Sequence, residues 1–277
     1  VVRLVSTWAG ALLVTTVIVA LGVGTSAAPA AAIGNEDWLT SVNHFRAQAG
    51  LTPVAENAAL NGPAAAHSCY MVANGISHGE DPSKPGYTPE GSASGQRSNV
   101  AVSSSATATD RSFVELWMAA PYHAIGVLRP GTTSMSYGSC RDADSAPWRS
   151  GATLDVVAGM TGGGVTAPIV WPGNGSRTNL NRFIAESPSP VAECGWTGAA
   201  GLPLVALLPE DPTGATAELF GPGGDLTTCV LTAANSTNAT AKAILGGDNA
   251  VVILPRDELA TGTYAVTLRT ASRTLHW

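Results

Sequence analysis

Between Asp110 and Gly138 the chain reads DRSFVELWMAAPYHAIGVLRPGTTSMSYG, and its apolar positions follow a helical period. Phe113, Leu116, Trp117 and Ala120 recur at i, i+3, i+4 and i+7, which places them on one face. Thr109 or Asp110 supplies an N-cap oxygen for the first turn. Pro121 predicts a helix end at or near Ala120. His123 then falls on a turn beside a bulky core anchor, where an imidazole can face a groove. The competing role for His123 is that of a satisfied structural histidine.

Upstream, NEDWLTSVNHFRAQAGL predicts a helix from Asn35, with Leu39, Val42, Phe45 and Arg46 at helical spacing and Gly50 as its stop. A second helix is expected from about Glu56 to Ala73, with Leu60, Ala64, Cys69 and Met71 available for burial. Pro63 is expected to break or kink it, and Asn74-Gly75 closes it. From Ser77 to Ser105 the composition is polar and dense in Gly, Pro and Ser, which predicts a long loop of functional or mobile character. Ser134 to Cys140 and Ala152 to Met160 are strand candidates.

Beyond about Thr161 the pattern changes. TGGGVTAP has linker composition, and after it come APIVW, LPLVALL, TAELF, TTCVL, AVVIL and TYAVTL, short apolar runs separated by turn signals. Tyr264, Val266 and Leu268 share one face at period two. With no helix-period segment of useful length, this half predicts a β-sandwich of about 110 residues. The chain stops at His276-Trp277, within what reads as an incomplete strand.

The N-terminal segment changes the picture of compartment. Arg3, an apolar run from about Ala9 to Val23 and the small residues of AAPAAA predict a secretory signal peptide over residues 1–32, cut near Ala30 or Ala32. An uncleaved anchor is the alternative, and the small-residue sites favour cleavage. The full chain carries a formal charge of -6, and losing Arg3 makes it more negative. Nucleic acid and anionic membrane surfaces, which need a basic footprint, are therefore excluded as partners. Charged residues make up only 12%, with Lys at Lys84 and Lys242 alone, a bias expected of GC-rich coding in a bacterium. Cys69, Cys140, Cys194 and Cys229 all follow the signal and predict two disulfides; spacing leaves three connectivities open. Pairing Cys69 with Cys140 and Cys194 with Cys229 keeps each bridge inside one half.

Taken together, VNHFRAQAGL, the later His78, SNVAV, and the Trp117–His123 unit followed by VLRP and SYG resemble the CAP superfamily of cysteine-rich secretory, antigen 5 and pathogenesis-related proteins. The likeness covers roughly residues 35–160 and is nearest to the bacterial form. It implies an α-β-α sandwich whose groove holds two histidines and two acids. His78 and His123 match the histidines. The acids are missing, since Ser98 and Ala120 stand in their places. Zinc at His78 and His123 would thus be weakly held, with Glu80, Asp81 or Glu115 as substitutes against the ordinary role of solvated acids.

Other motifs carry less. Gly75-Ile76-Ser77-His78-Gly79 fits the G-x-S-x-G nucleophile elbow, but a helix precedes it and a Pro-rich loop follows, so the strand-turn-helix it needs is absent. His44 and His67 are expected to be helix-surface or packing residues. GGG at 162–164 and GPGGD at 221–225 lack the Lys and helix of a phosphate loop. Asn174, Asn235 and Asn238 head glycosylation sequons, meaningful only in a glycosylating host. Leu259 to Tyr264 resembles the tyrosine corner of immunoglobulin-like and fibronectin type III sandwiches.

The expected fold class is α+β: signal peptide 1–32, a CAP-like α-β-α sandwich over 33–160, a linker over 161–170 and an all-β immunoglobulin-like sandwich over 171–277. The expected function is that of a secreted binding module without catalysis or cofactor. Its groove, at His78, Asn99, Trp117, Tyr122 and His123, would take a small apolar ligand or cell-envelope component. The alternatives are a metal-assisted or protease-like hydrolase using His78 and His123, and an envelope adhesin or scaffold.

Overall fold

The computed structural model describes residues 37–277. The signal peptide expected over residues 1–32 lies outside the described residues. Helix α1 (Trp38–Gln48) begins at Asp37, whose side chain accepts from the Thr40 amide at 2.7 Å, and buries Trp38, Ser41, Val42, Phe45 and Arg46. After the short strand β1 (Ala55–Glu56) comes α2 (Asn61–Asn74). Pro63 therefore lies in the first turn of α2 and neither breaks nor kinks it, because an amide there has no intrahelical acceptor to lose.

The expected loop over 77–105 holds two elements, a correction to the sequence reading. They are α3 (Pro89–Gly95) and β2 (Ser98–Ser103). Thr88 caps α3 by accepting from the Gly91 amide at 2.9 Å, and Pro89 occupies its first turn. Helix α4 (Asp110–Met118) is capped by Thr109 and buries Phe113, Val114, Trp117 and Met118. A second helix follows at once: α5 (Pro121–Leu128), then β3 (Ser134–Arg141) and β4 (Ser150–Asp155). Pro121 ends one helix and opens the next, so His123 sits in the first turn of α5 rather than on a turn. The strand expected to run to Met160 stops at Asp155.

These strands form one sheet in the order β1-β3-β4-β2, with β4 antiparallel to both neighbours and β1 parallel to β3. Successive residues of β3 point to opposite faces. A Cβ on Gly138 would lie 2.1 Å from the Ala65 nitrogen, so α2 rests directly on that face and only glycine fits. On the other face Tyr137 stacks on Trp38 at 5.4 Å and meets Trp117 edge-on at 6.4 Å. Helices thus cover both sides. The Cys69–Cys140 disulfide ties α2 to β3.

The rest of the chain contains β5 (Ile169–Trp171), α6 (Pro190–Glu193), β6 (Leu204–Leu207), β7 (Thr216–Gly221), β8 (Gly224–Leu226), β9 (Thr228–Leu231), α7 (Ala239–Gly247), β10 (Ala250–Pro255), β11 (Ala265–Arg269) and β12 (Thr274–His276). Two four-stranded antiparallel sheets result, ordered β5-β6-β10-β9 and β12-β11-β7-β8. Helix α7 corrects the expectation of a helix-free half; Asn238 caps it by accepting from the Thr240 and Ala241 amides. The residues expected to form an incomplete strand are paired, His276 lying opposite Thr267. Cys194–Cys229 forms the second disulfide.

The two halves share a core. Along β6 and the residue after it, Val205 and Leu207 belong to the cluster that contains Phe45, Trp117 and Ile125, while Leu204, Ala206 and Leu208 face Leu219, Val266 and Leu268 of the other sheet. β10 alternates in the same way, Ala250 and Val252 toward the first cluster, Val251 and Ile253 toward the second. A sheet covered on both faces reads as unbroken apolar runs, which is the form of LPLVALL and AVVIL. Phe45 meets Trp171 edge-on at 6.0 Å across the same boundary.

Candidate functional site

The site is built around α5, whose sequence PYHAIGVL is apolar on nearly every side. Every residue of it except His123 is buried, because α1 and α4 of the first half and β6 and α7 of the second all pack against it. Its first amides need acceptors, and Ala120, the N-cap, has no oxygen to offer. Glu186 supplies one from far along the chain. Its Oε2 accepts from the Tyr122 amide at 3.2 Å and from the His123 amide at 3.4 Å, and lies 2.8 Å from His123 Nδ1. The Glu186 side chain is 0% exposed and that of His123 16%. Burial pushes the Glu186 carboxyl above its ordinary value, opposed by the hydrogen bonds and charge of His123 and by the two amides.

The far end of α5 is held by Arg46. Its guanidinium donates to Val127 O at 2.7 Å, Arg129 O at 3.0 Å, Thr132 O at 3.4 Å and Thr52 O at 3.0 Å. Burial alone lowers it to about 10, still cationic at neutral pH. Asn43 of the same motif makes a reciprocal pair with the Val54 backbone, at 3.0 and 2.8 Å. Asn43 and Arg46, the polar pair within VNHFRAQAGL, are therefore structural here.

Three of the expected groove residues are supports rather than lining. Asn99 is buried and donates to His123 O at 3.0 Å. Trp117 is 1% exposed and donates to Val100 O at 3.3 Å, so its ring belongs to the core. Tyr122 is buried with a hydroxyl that has no protein partner, and burial, aided by Glu186 and Glu193, raises it strongly. His78 is exposed, and its Nδ1 donates to Gly95 O at 3.0 Å. Gly95 lies just before β2, which begins with Ser98 and Asn99, so His78 and His123 attach to neighbouring stretches of chain. They share no hydrogen-bond partner.

His67 was expected on a helix surface or in packing; it is fully buried and engaged at both ring nitrogens. Nδ1 lies 2.9 Å from Glu80 Oε1, and Nε2 donates to Ser77 O at 2.8 Å. A Cβ on Gly95 would come within 2.3 Å of this ring, which explains a glycine there.

A metal would need more donors than are gathered. Among the described residues no group of three or more His, Cys, Asp or Glu side chains is placed to hold one. Glu80 is committed to His67, Asp81 accepts from Ser83, and Glu115 pairs with Arg111 at 2.7 Å. Ser98 is buried and donates to Ser94 O at 2.7 Å. The donor set does not fit a metal ion. The G-x-S-x-G segment follows α2 without a strand, and the Ser77 hydroxyl accepts from the Gly79 amide.

Glu186 is the residue that sequence reasoning missed. It lies in a Ser- and Pro-rich stretch with no motif around it. The signal lay elsewhere: a helix opening Ala-Pro-Tyr-His leaves amides with no local acceptor.

Residues 39–148 match the family model of CAP, the cysteine-rich secretory protein family. No curated protein matches the chain. Two disulfides fit an oxidising compartment, and among the described residues no helix is long and apolar enough to cross a membrane.

Proposed function

Residues 39–148 are a CAP domain, and from that premise we propose that the chain is an exported binding module that meets its ligand at the surface carrying His78 and His123. Removal of residues 1–32 as a signal peptide belongs to this reading. The observation that carries it is the state of His123: a partly exposed imidazole held at Nδ1 by a buried carboxylate and at its backbone carbonyl by Asn99, with no metal-binding cluster among the described residues. Such a site orients one polar group and supplies little else.

The second half serves as a scaffold in this proposal, an immunoglobulin-like sandwich. Its strand order supports that assignment: taking β5 to β12 as A, B, C, C′, D, E, F and G gives sheets A-B-E-D and G-F-C-C′. Tyr264 supports it too, its hydroxyl donating to Ala260 O at 2.7 Å as in a tyrosine corner.

A hydrolase is the second reading, favoured by the His123–Glu186 pair, which has the form of a base and its orienter. It lacks a nucleophile, since no Ser, Thr or Cys among the described residues is hydrogen-bonded to His123. The deciding experiment is a titration of the full exported chain with lipids, sterols and cell-wall fragments. Saturable binding weakened about tenfold or more by His78→Ala with His123→Ala supports the proposal. No saturable binding to any of them refutes it.

A further inference from the structure

We infer that Glu186 is a positioning residue that locks His123 in its Nδ1–H tautomer, making the ligand site a joint product of both halves and selective for a hydrogen-bond donor, a hydroxyl or an amine. The inference rests on the binding reading above for its ligand and on geometry alone for its tautomer.

Three observations converge on Glu186. First, the carboxylate is fully buried, so the hydrogen bonds it accepts come from protein, and those shown are all from N–H groups of Tyr122 and His123. Two of these groups are backbone amides, which can only donate, so the oxygen they share faces His123 Nδ1 as an acceptor. Second, a neutral imidazole with Nδ1 as donor must present Nε2 as a lone pair. No described protein group hydrogen-bonds His123 Nε2, and the side chain is 16% exposed. Third, His78 is fixed in the same sense by a different device. Gly95 O can only accept, so His78 Nδ1 donates to it and its Nε2 is left as the acceptor. An imidazole set this way receives a donor from its ligand. A ligand group with lone pairs only would leave the Nε2 it meets unpaired.

Glu186 lies outside the segment 39–148 that matches the CAP family model. It is carried by the chain between β5 and β6, which is anchored independently. The Gly201 amide donating to Pro255 O, the Leu259 amide donating to Asn181 O, the Cys194–Cys229 disulfide and the four hydrogen bonds that Glu193 accepts from Ser236, Thr237 and Asn238 all hold that stretch against the second half. The carboxylate reaches His123 because the second half is docked.

The test is long-range proton–nitrogen NMR of the full exported chain with labelled histidine, at about pH 8, above the ordinary imidazole value of about 6.5. In the wild type His123 should show a protonated Nδ1 and an unprotonated Nε2. Glu186→Gln, which keeps an acceptor oxygen, should retain that pattern with the Nδ1 proton moved upfield, because a neutral acceptor makes a weaker bond. Glu186→Leu should lose the pattern and populate the Nε2–H form. A wild-type His123 already protonated at Nε2 overturns the inference, as does a folded Glu186→Leu with its tautomer unchanged. If Glu186→Leu does not fold, the Gln variant decides, and an unmoved Nδ1 proton overturns it. The readout needs no ligand, so failure of the binding titration leaves the tautomer result standing, and the reverse. Where a ligand binds, its hydroxyl-to-methoxy analogue should bind about tenfold more weakly; equal binding overturns the donor preference.

Discussion

Arg46 and Glu186 grip the same helix from opposite ends. The guanidinium donates to the Val127 and Arg129 carbonyls where α5 finishes, and the carboxylate accepts from the Tyr122 and His123 amides where it starts. Each charge complements the helix dipole at its end, cation at the C-terminus and anion at the N-terminus. One is contributed by the CAP domain and the other by the second half.

Arg46→Lys should therefore be severe. An ammonium cannot reach four carbonyls arranged around a planar fork. The expected loss is about 3 kcal/mol, read as a lower denaturant midpoint with an unchanged slope.

Because Val205, Leu207, Ala250 and Val252 share a cluster with Phe45 and Ile125, the two halves should unfold together. Calorimetry of residues 37–277 should give one transition whose van't Hoff and calorimetric enthalpies agree. Two resolved transitions would mean that the shared cluster contributes little.

The buried His67–Glu80 hydrogen bond should matter most when only one partner is removed. His67→Leu alone strands the carboxylate and should cost about 3–5 kcal/mol. His67→Leu with Glu80→Leu should recover a large part of that loss. A double-mutant cycle measured by urea unfolding checks both figures.

Glu193 predicts a pH dependence. Its carboxyl is held below the ordinary value of 4.5, first by the Ser236 hydroxyl, with burial opposing and the Thr237 and Asn238 groups adding to the lowering. A carboxyl lowered in the folded state adds stability that is fully present above 4.5 and is lost as pH falls through the lower folded value. Wild type should thus melt above Glu193→Gln at neutral pH, and the two melting curves should converge in acid.

Tyr264→Phe removes one hydroxyl, the donor to Ala260 O. About 1 kcal/mol should be lost, with the binding titration unaffected.

Local patterns exposed much of this architecture. The Thr109 cap, the helical period around Trp117 and six apolar runs all correspond to elements in the structure. Both disulfides join the cysteines expected from keeping each bridge inside one half. Where local composition misled, the deciding signals were present but short. Thr88-Pro89-Glu90 opens a helix inside a Gly- and Ser-rich stretch, and Asn238 caps another within a half read as all strand. His67 and Glu186 were beyond reach for a different reason. Their partners are set by how distant segments pack, and a carboxylate in a Pro-rich stretch carries no local mark of the helix it caps. Unbroken apolar runs at β6 and β10 were the trace of that packing, since a strand with a solvated face would alternate.

Apart from His123, helix α5 has no outside. Residues Ala124 to Leu128 are buried, and the helix packs against α1 and α4 of one half and β6 and α7 of the other. Any substitution there must satisfy two neighbours at once, so this short segment should tolerate the least change in the chain. The consequence reaches beyond stability: a CAP domain that lends its helix to a neighbour cannot be transplanted as an independent part, and the two halves must drift in step.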